Sequence, residues 1–267
     1  MILKSKDGRA VARDHELNIL RALHRFGWLR TRDFAALVFQ RWASTAPAGG
    51  PSLLPPVATA TGLRMAQRTL RRMRIARLVL DTQAPDGSVI YALSEAGARA
   101  LQGIGVAATT GKDQVRTFST THFRHRCIAN EVAISAIVEG FRASTEREIS
   151  RGLWLGGKSG VAGKLPDVML RSGSALWWVE VERSKKNSAG AAATRRLVEA
   201  VRVAAEQPHL LFGNGVSRVT IVFICTAAYQ AKLCRALEAS GWDKSDIAKY
   251  LRFEKSLYSF KDIQFVG

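Results

Sequence analysis

Gly62-Leu-Arg-Met-Ala-Gln-Arg-Thr-Leu-Arg-Arg-Met-Arg-Ile75, followed by Leu78-Val-Leu80 and Val89-Ile-Tyr-Ala-Leu93, decides how the first half of this chain folds. At a helical spacing, Leu63, Ala66, Leu70 and Met73 fall within ~80° of one another, while Arg64, Arg68, Arg71 and Arg72 span ~100° on the opposite side. One side suits a core and the other suits anions, although a solvated basic surface is the plain alternative. The two apolar runs that follow have strand character and are joined by residues 81–88, which hold the turn pair Asp86-Gly87. Ser94 then caps a helix through Leu101, with Glu95 near its positive end.

Upstream, Asp14 to Phe26 carries Leu17, Leu20 and Leu23 at helical period, and Gly27 stops it. Thr31 is an N-cap signal for a second helix over Arg32 to Phe39, with Phe34, Leu37 and Val38 on its apolar side. Between this helix and the arginine helix, residues 43–62 hold four of the chain's seven prolines and read as an exposed loop of the first domain. Three helices followed by a hairpin is the order of a winged helix-turn-helix, whose third helix enters the major groove while the hairpin lies against the backbone. On that reading Arg64 and Gln67 are the base readers, Thr61, Arg68, Arg71 and Arg72 hold phosphates, Thr69 belongs to either group, and Arg74 extends the same basic run. The expected partner is double-stranded DNA.

The charge agrees with that partner. The 267 residues hold 40 Lys and Arg against 22 Asp and Glu, a formal net charge of +18. Up to Thr120 there are 18 basic and 8 acidic residues, and beyond it 22 and 14, so both halves are basic. Six of the arginines fall within residues 64–77, which contain no acid. A hydrophobic content of 47% excludes a wholly disordered basic tail. No apolar run approaches the ~18 residues of a membrane span, and the polar residues 1–15 carry no secretory pattern, so a cytoplasmic protein without membrane contact is expected. Cys127, Cys225 and Cys234 are odd in number and lack metal-site spacing, which favours reduced thiols.

Residues 103–121, rich in Gly, Ala and Thr, read as a linker between a DNA-binding domain at 1–102 and a second domain at 122–267. In the second domain a long helix is expected from His122 to Arg142, then a polar strand within Thr145 to Leu155 and a glycine-rich turn at Gly156 to Gly163. Leu165-Pro-Asp-Val-Met-Leu-Arg171 and Ala175-Leu-Trp-Trp-Val-Glu-Val-Glu-Arg-Ser-Lys185, joined by Ser172-Gly-Ser174, form a hairpin that brings Asp167 towards Glu180. Glu180 and Glu182, two apart, share a strand face. Three converging carboxylates are what a hard divalent cation such as Mg²⁺ needs for phosphodiester hydrolysis. Glu131, on the domain's first helix, is a further candidate ligand with Asp167 and Glu180, while His122 and His125 read as phosphate-facing or structural. An amphipathic helix at 189–205, a buried strand at Val219 to Cys225 and a helix at Ala227 to Ser240 complete an α/β domain with one mixed sheet. The chain is α+β overall.

Pro166-Asp167, Glu180-Val-Glu182 and Lys185 resemble the PD-(D/E)xK core of restriction-endonuclease-like proteins, with Glu182 standing where that family usually has lysine. The resemblance implies catalytic roles for Asp167, Glu180, Glu182 and Lys185. Across Asp14 to Thr226, the segment Leu20-Arg-Ala-Leu-His-Arg-Phe-Gly-Trp-Leu29, the arginine helix, the phrase Ile90-Tyr-Ala-Leu-Ser-Glu-Ala-Gly97 and Val179-Glu-Val-Glu182 together resemble the replication-relaxation family of plasmid and integrative-element proteins. That resemblance implies a role in plasmid replication, relaxation or mobilisation. A Mg²⁺-dependent endonuclease or nickase is the second expectation. The third is a winged-helix transcription regulator whose inactive second domain senses a signal or forms a homodimer. For the carboxylates, pairing with nearby Arg or Lys is the structural alternative.

Overall fold

A computed structural model describes residues 7–116, 120–182, 188–204 and 206–254. The fold is mixed, with helices and two sheets, α+β overall, and it divides into two compact units.

The first unit contains α1 (Gly8–Phe26), β1 (Trp28–Arg30), α2 (Thr31–Val38), α3 (Ala60–Ile75), β2 (Val79–Gln83), β3 (Val89–Leu93), α4 (Glu95–Gln102) and α5 (Lys112–Arg116). Its sheet has the order β1-β3-β2, all antiparallel. The core is made by Ile19, Leu23 and Phe26 of α1, Phe34 and Leu37 of α2, Leu70 and Met73 of α3, and Ile90 of β3. Gly62 lets α2 and α3 approach closely, since a Cβ there would sit 3.3 Å from the Ala35 carbonyl oxygen. Thr31 is not the cap of α2 but its first residue. The cap is Arg30, whose backbone N–H donates to Asp33 Oδ2 at 2.8 Å while its guanidinium grips both Asp33 oxygens at 2.9 Å. Both side chains are 1% exposed, so the pair is fully desolvated. Ser94 does cap α4, accepting from Gly97 N at 2.9 Å and donating to the Arg77 carbonyl at 2.6 Å. Within 103–121, Gly111 donates to the Leu93 carbonyl and α5 follows, so this stretch is structured up to Arg116.

The second unit contains α6 (Thr120–Val138), whose first residues up to Phe123 belong to the first unit, then β4 (Arg142–Ser144), α7 (Glu146–Ser150), β5 (Val168–Ser172), β6 (Ala175–Glu182), α8 (Ser188–Val203), α9 (His209–Phe212), β7 (Arg218–Cys225), α10 (Ala227–Glu238), α11 (Lys244–Tyr250) and β8 (Leu251–Glu254). Its mixed sheet runs β4-β5-β6-β7-β8, antiparallel up to β6 and parallel from β6 to β8. Trp178 at its centre packs with Met169, Leu176, Leu197, Val198 and Phe223. The strand expected within 145–155 is instead a helix. Thr145 and Glu148 form a capping box, Thr145 N to Glu148 Oε2 at 2.9 Å and Glu148 N to Thr145 Oγ1 at 3.3 Å, which favours α7.

The proline-rich loop also differs from expectation: Trp42–Pro55 belongs to the second unit. Ala43 N donates to the Val138 carbonyl at 2.8 Å, Ser52 N bonds Glu139 Oε2 at 2.9 Å, and Arg252 donates to the Pro51 carbonyl at 2.7 Å. Gly50 lies against the Trp177 indole, where a Cβ would sit 3.1 Å from the ring.

Candidate functional site

On α3 the two faces separate as the 3.6-residue period requires. Ala66, Leu70 and Met73 are buried, and Thr61, Arg64, Gln67, Arg68, Arg71, Arg72 and Arg74 are exposed. Thr59 caps the helix, accepting from Gly62 N at 3.0 Å. Thr69 is corrected here: it is 4% exposed on the core side, so it reaches neither base nor phosphate. Arg72 pairs with Glu16 at 2.7 Å and Arg74 with Asp81 at 3.3 Å, while both arginines stay more than half exposed. Arg64, Gln67, Arg68 and Arg71 carry no ion pair among the described residues.

Beyond the end of α3, a cleft of about 670 Å³ is lined by Arg74, Arg77, Lys112 and Arg116 together with Asp81 and Glu95. Arg77 terminates α3 in a Schellman arrangement, with Leu78 N bonding the Met73 carbonyl and Arg77 N the Arg74 carbonyl, each at 2.9 Å. Its φ of +54° is a conformation in which glycine is usual. The sequence places Arg77 in the basic run without giving it a partner, and an Arg where a helix stop calls for Gly is the signal that could have marked it.

In the second unit the hairpin β5–β6 pairs Val168 with Val179 and Ser172 with Ala175, which brings Asp167 to the Glu180 end of β6. Asp167 Oδ2 accepts from Val181 N at 2.7 Å and lies 3.2 Å from His125 Nε2 on α6. Burial opposes its charge, yet the His125 hydrogen bond and charge, the Val181 N–H and Lys164 hold its carboxyl below the usual range. Burial works against a charged His125 as well, but Asp167, Glu146 and Glu180 raise its pKa overall. Glu180 has both oxygens engaged, Oε1 by Trp178 Nε1 at 2.6 Å and Oε2 by Lys164 Nζ. Burial first, and the Asp167 charge second, push its carboxyl up to about 7. Glu182 is buried beside Cys225, its β7 register partner, whose thiol is pushed up to about 12 by burial and the Glu182 charge. Glu131 lies on α6 and is buried. Lys185 lies outside the described residues.

The structure therefore brings Asp167 and Glu180 together, as the spacing predicts, and adds Lys164 and His125. From sequence His125 reads as phosphate-facing or structural. Lys164 escapes notice there, because a lysine in a glycine-rich turn has no periodicity to betray its partner. Among the described residues, no group of three or more His, Cys, Asp or Glu is arranged to hold a metal ion. A hard cation requires several carboxylate oxygens facing it, and those of Glu180 already accept from Trp178 and Lys164. As placed, these residues do not fit Mg²⁺. Cys127 and Cys225 are buried, Cys234 is partly buried, and none of the three forms a disulfide among the described residues. No described helix is long and apolar enough to cross a membrane. No protein-family model matches the chain, and neither a curated protein nor a solved structure matches it.

Proposed function

We propose that the protein binds double-stranded DNA through the solvent face of α3, with the first unit acting as a winged helix-turn-helix. The observation that carries this reading is the exposed set Arg64, Gln67, Arg68 and Arg71 on the face opposite Ala66, Leu70 and Met73. The order α1, α2, α3 and then the β2–β3 hairpin supports it, as does the basic cleft with Arg77, Lys112 and Arg116 beside the end of α3. Arg64 and Gln67, near the helix start, read base edges, while Arg68 and Arg71 hold phosphates. The second unit is a nuclease-like platform that has kept its carboxylates but pairs them internally, so binding rather than cleavage is its role. The resemblance of residues 20–29, 90–97 and 179–182 to replication-relaxation proteins is the basis for proposing a mobile genetic element as the setting.

The test is a salt titration of duplex binding. Arg68→Ala with Arg71→Ala lowers the magnitude of the log K against log[salt] slope by about two, close to one for each phosphate that is no longer neutralised. Arg64→Ala costs about 1–3 kcal/mol of discrimination at one base pair. A double variant with an unchanged slope overturns the assignment of α3.

A further inference from the structure

Lys164 reaches Glu180 because the chain ahead of it is folded back into a tight turn. Val161 and Lys164 exchange both backbone hydrogen bonds at 3.0 Å, and the two residues between them, Ala162 and Gly163, have φ of +52° and +74°. Two consecutive left-handed residues are the mark of a type I′ turn, the form that closes two facing strands most tightly. Val161 is 4% exposed within the core around Trp178, which anchors one arm. Gly160, at φ +67°, lies so close under the Lys164 carbonyl that a Cβ there would overlap it. The lysine is thus delivered by a built device and not by a loose surface chain. Its side chain is 16% exposed and that of Glu180 4%. Nζ pairs with Glu180, and the same charge acts on Asp167.

A cation beside one buried carboxylate, Glu180, and one partly buried carboxylate, Asp167, is what charge neutrality there demands. We infer that the Lys164 ammonium occupies the cation position beside Glu180 and Asp167, so that the pair takes no divalent ion while Lys164 is in place. A metal ion entering the site has to expel an ammonium held by the 161–164 turn, and it meets the like charge of that group if it does not. His125 covers Asp167 from α6 and completes the internal neutralisation. This inference concerns the second unit alone and is independent of the DNA reading of α3.

The experiment uses the full chain, without DNA, and Mn²⁺ alone as probe, read by calorimetric titration and by melting temperature. Wild type and Lys164→Arg show no Mn²⁺ binding that Asp167→Asn removes. Lys164→Met, which keeps the apolar stem and loses the charge, binds Mn²⁺ at least about tenfold more tightly than wild type because a repelling unit charge a few ångströms away is gone. Its melting temperature rises with Mn²⁺, and Lys164→Met with Asp167→Asn loses the gain. Lys164→Gln, which retains a donor for Glu180, shows the same gain and serves where the methionine variant does not fold. Mn²⁺ binding by wild type that Asp167→Asn abolishes overturns the inference, as does the absence of any gain in both uncharged variants.

Discussion

Replacing Gly97 by alanine should destabilise the protein, although helix propensity alone says the opposite. Gly97 is the third residue of α4, where alanine is favoured over glycine by about 1 kcal/mol in a helix interior. A Cβ built at Gly97, however, overlaps the Leu78 carbonyl oxygen by the better part of an ångström relative to the 3.0 Å closest approach, and it lies 3.2 Å from Leu20 Cδ2. The Leu78 oxygen cannot simply retreat. It accepts from Ser94 N at 3.3 Å, while Leu78 N closes the end of α3 on the Met73 carbonyl at 2.9 Å. Overpacking of this kind costs about 1–3 kcal/mol, and contact with backbone puts it at the upper end. Subtracting the propensity gain leaves about 1–2 kcal/mol of net loss. For a unit of this size that is a fall in melting temperature of about 4–8 °C. Calorimetry on Gly97→Ala checks it, with Gly103→Ala as control. Gly103 ends the same helix with φ −60° and no atom nearer than 3.6 Å to its built Cβ, so alanine there is neutral or stabilising. A Gly97→Ala protein as stable as wild type, or more stable, refutes the packing argument.

Other substitutions test other parts of the fold. Asp33→Ala strands the buried Arg30 charge and should cost about 3–5 kcal/mol in denaturant unfolding, far beyond the loss of an exposed cap. Arg77→Gly relieves a left-handed side chain and should stabilise by up to about 1 kcal/mol, while weakening duplex binding through the loss of a cationic wall of the cleft. Stability against pH should follow Glu180. Its folded value, about 7, lies above the ordinary 4.5, so its favourable contribution is complete below 4.5 and is lost as pH rises to about 7. The loss is at most about 3 kcal/mol, and unfolding curves of Glu180→Gln should lack that fall. Asp167 contributes with the opposite sign, stabilising above the ordinary 3.8 and losing its effect as pH falls through its lower folded value.

The elements with a regular period are legible from the residues. The buried side of α3, the Asp86-Gly87 turn, the Ser94 cap and the β5–β6 hairpin each follow from spacing or turn chemistry acting over a few neighbours. What escapes depends on partners distant in sequence or on signals that compete. Thr69 lies near the margin between the two faces of α3, and only the packing of the first unit turns it inwards. The Thr145-x-x-Glu148 box is present in the sequence, but a polar stretch beside glycines favours the strand reading. Lys164 and Glu180 are 16 residues apart across an irregular turn, where no periodicity connects them. The need for glycine at position 97 rests on the backbone of Leu78, which no spacing in the sequence reveals.

Arg252 and Pro51 are bonded across 201 residues of chain, and the segment Trp42–Pro55 completes a unit whose other parts begin at Arg124. A ribosome making this protein therefore releases the Gly50 support of Trp177 long before the strand bearing Arg252 exists. The first unit can fold during synthesis, whereas the second has to wait for nearly the whole chain, with a piece made early held in reserve. A fragment cut at the apparent linker lacks that piece. Expressed from residue 122 onward, it should expose Trp177 and leave Glu139 without Ser52, so an aggregating fragment would reflect where the cut was made and not an inability of this unit to fold.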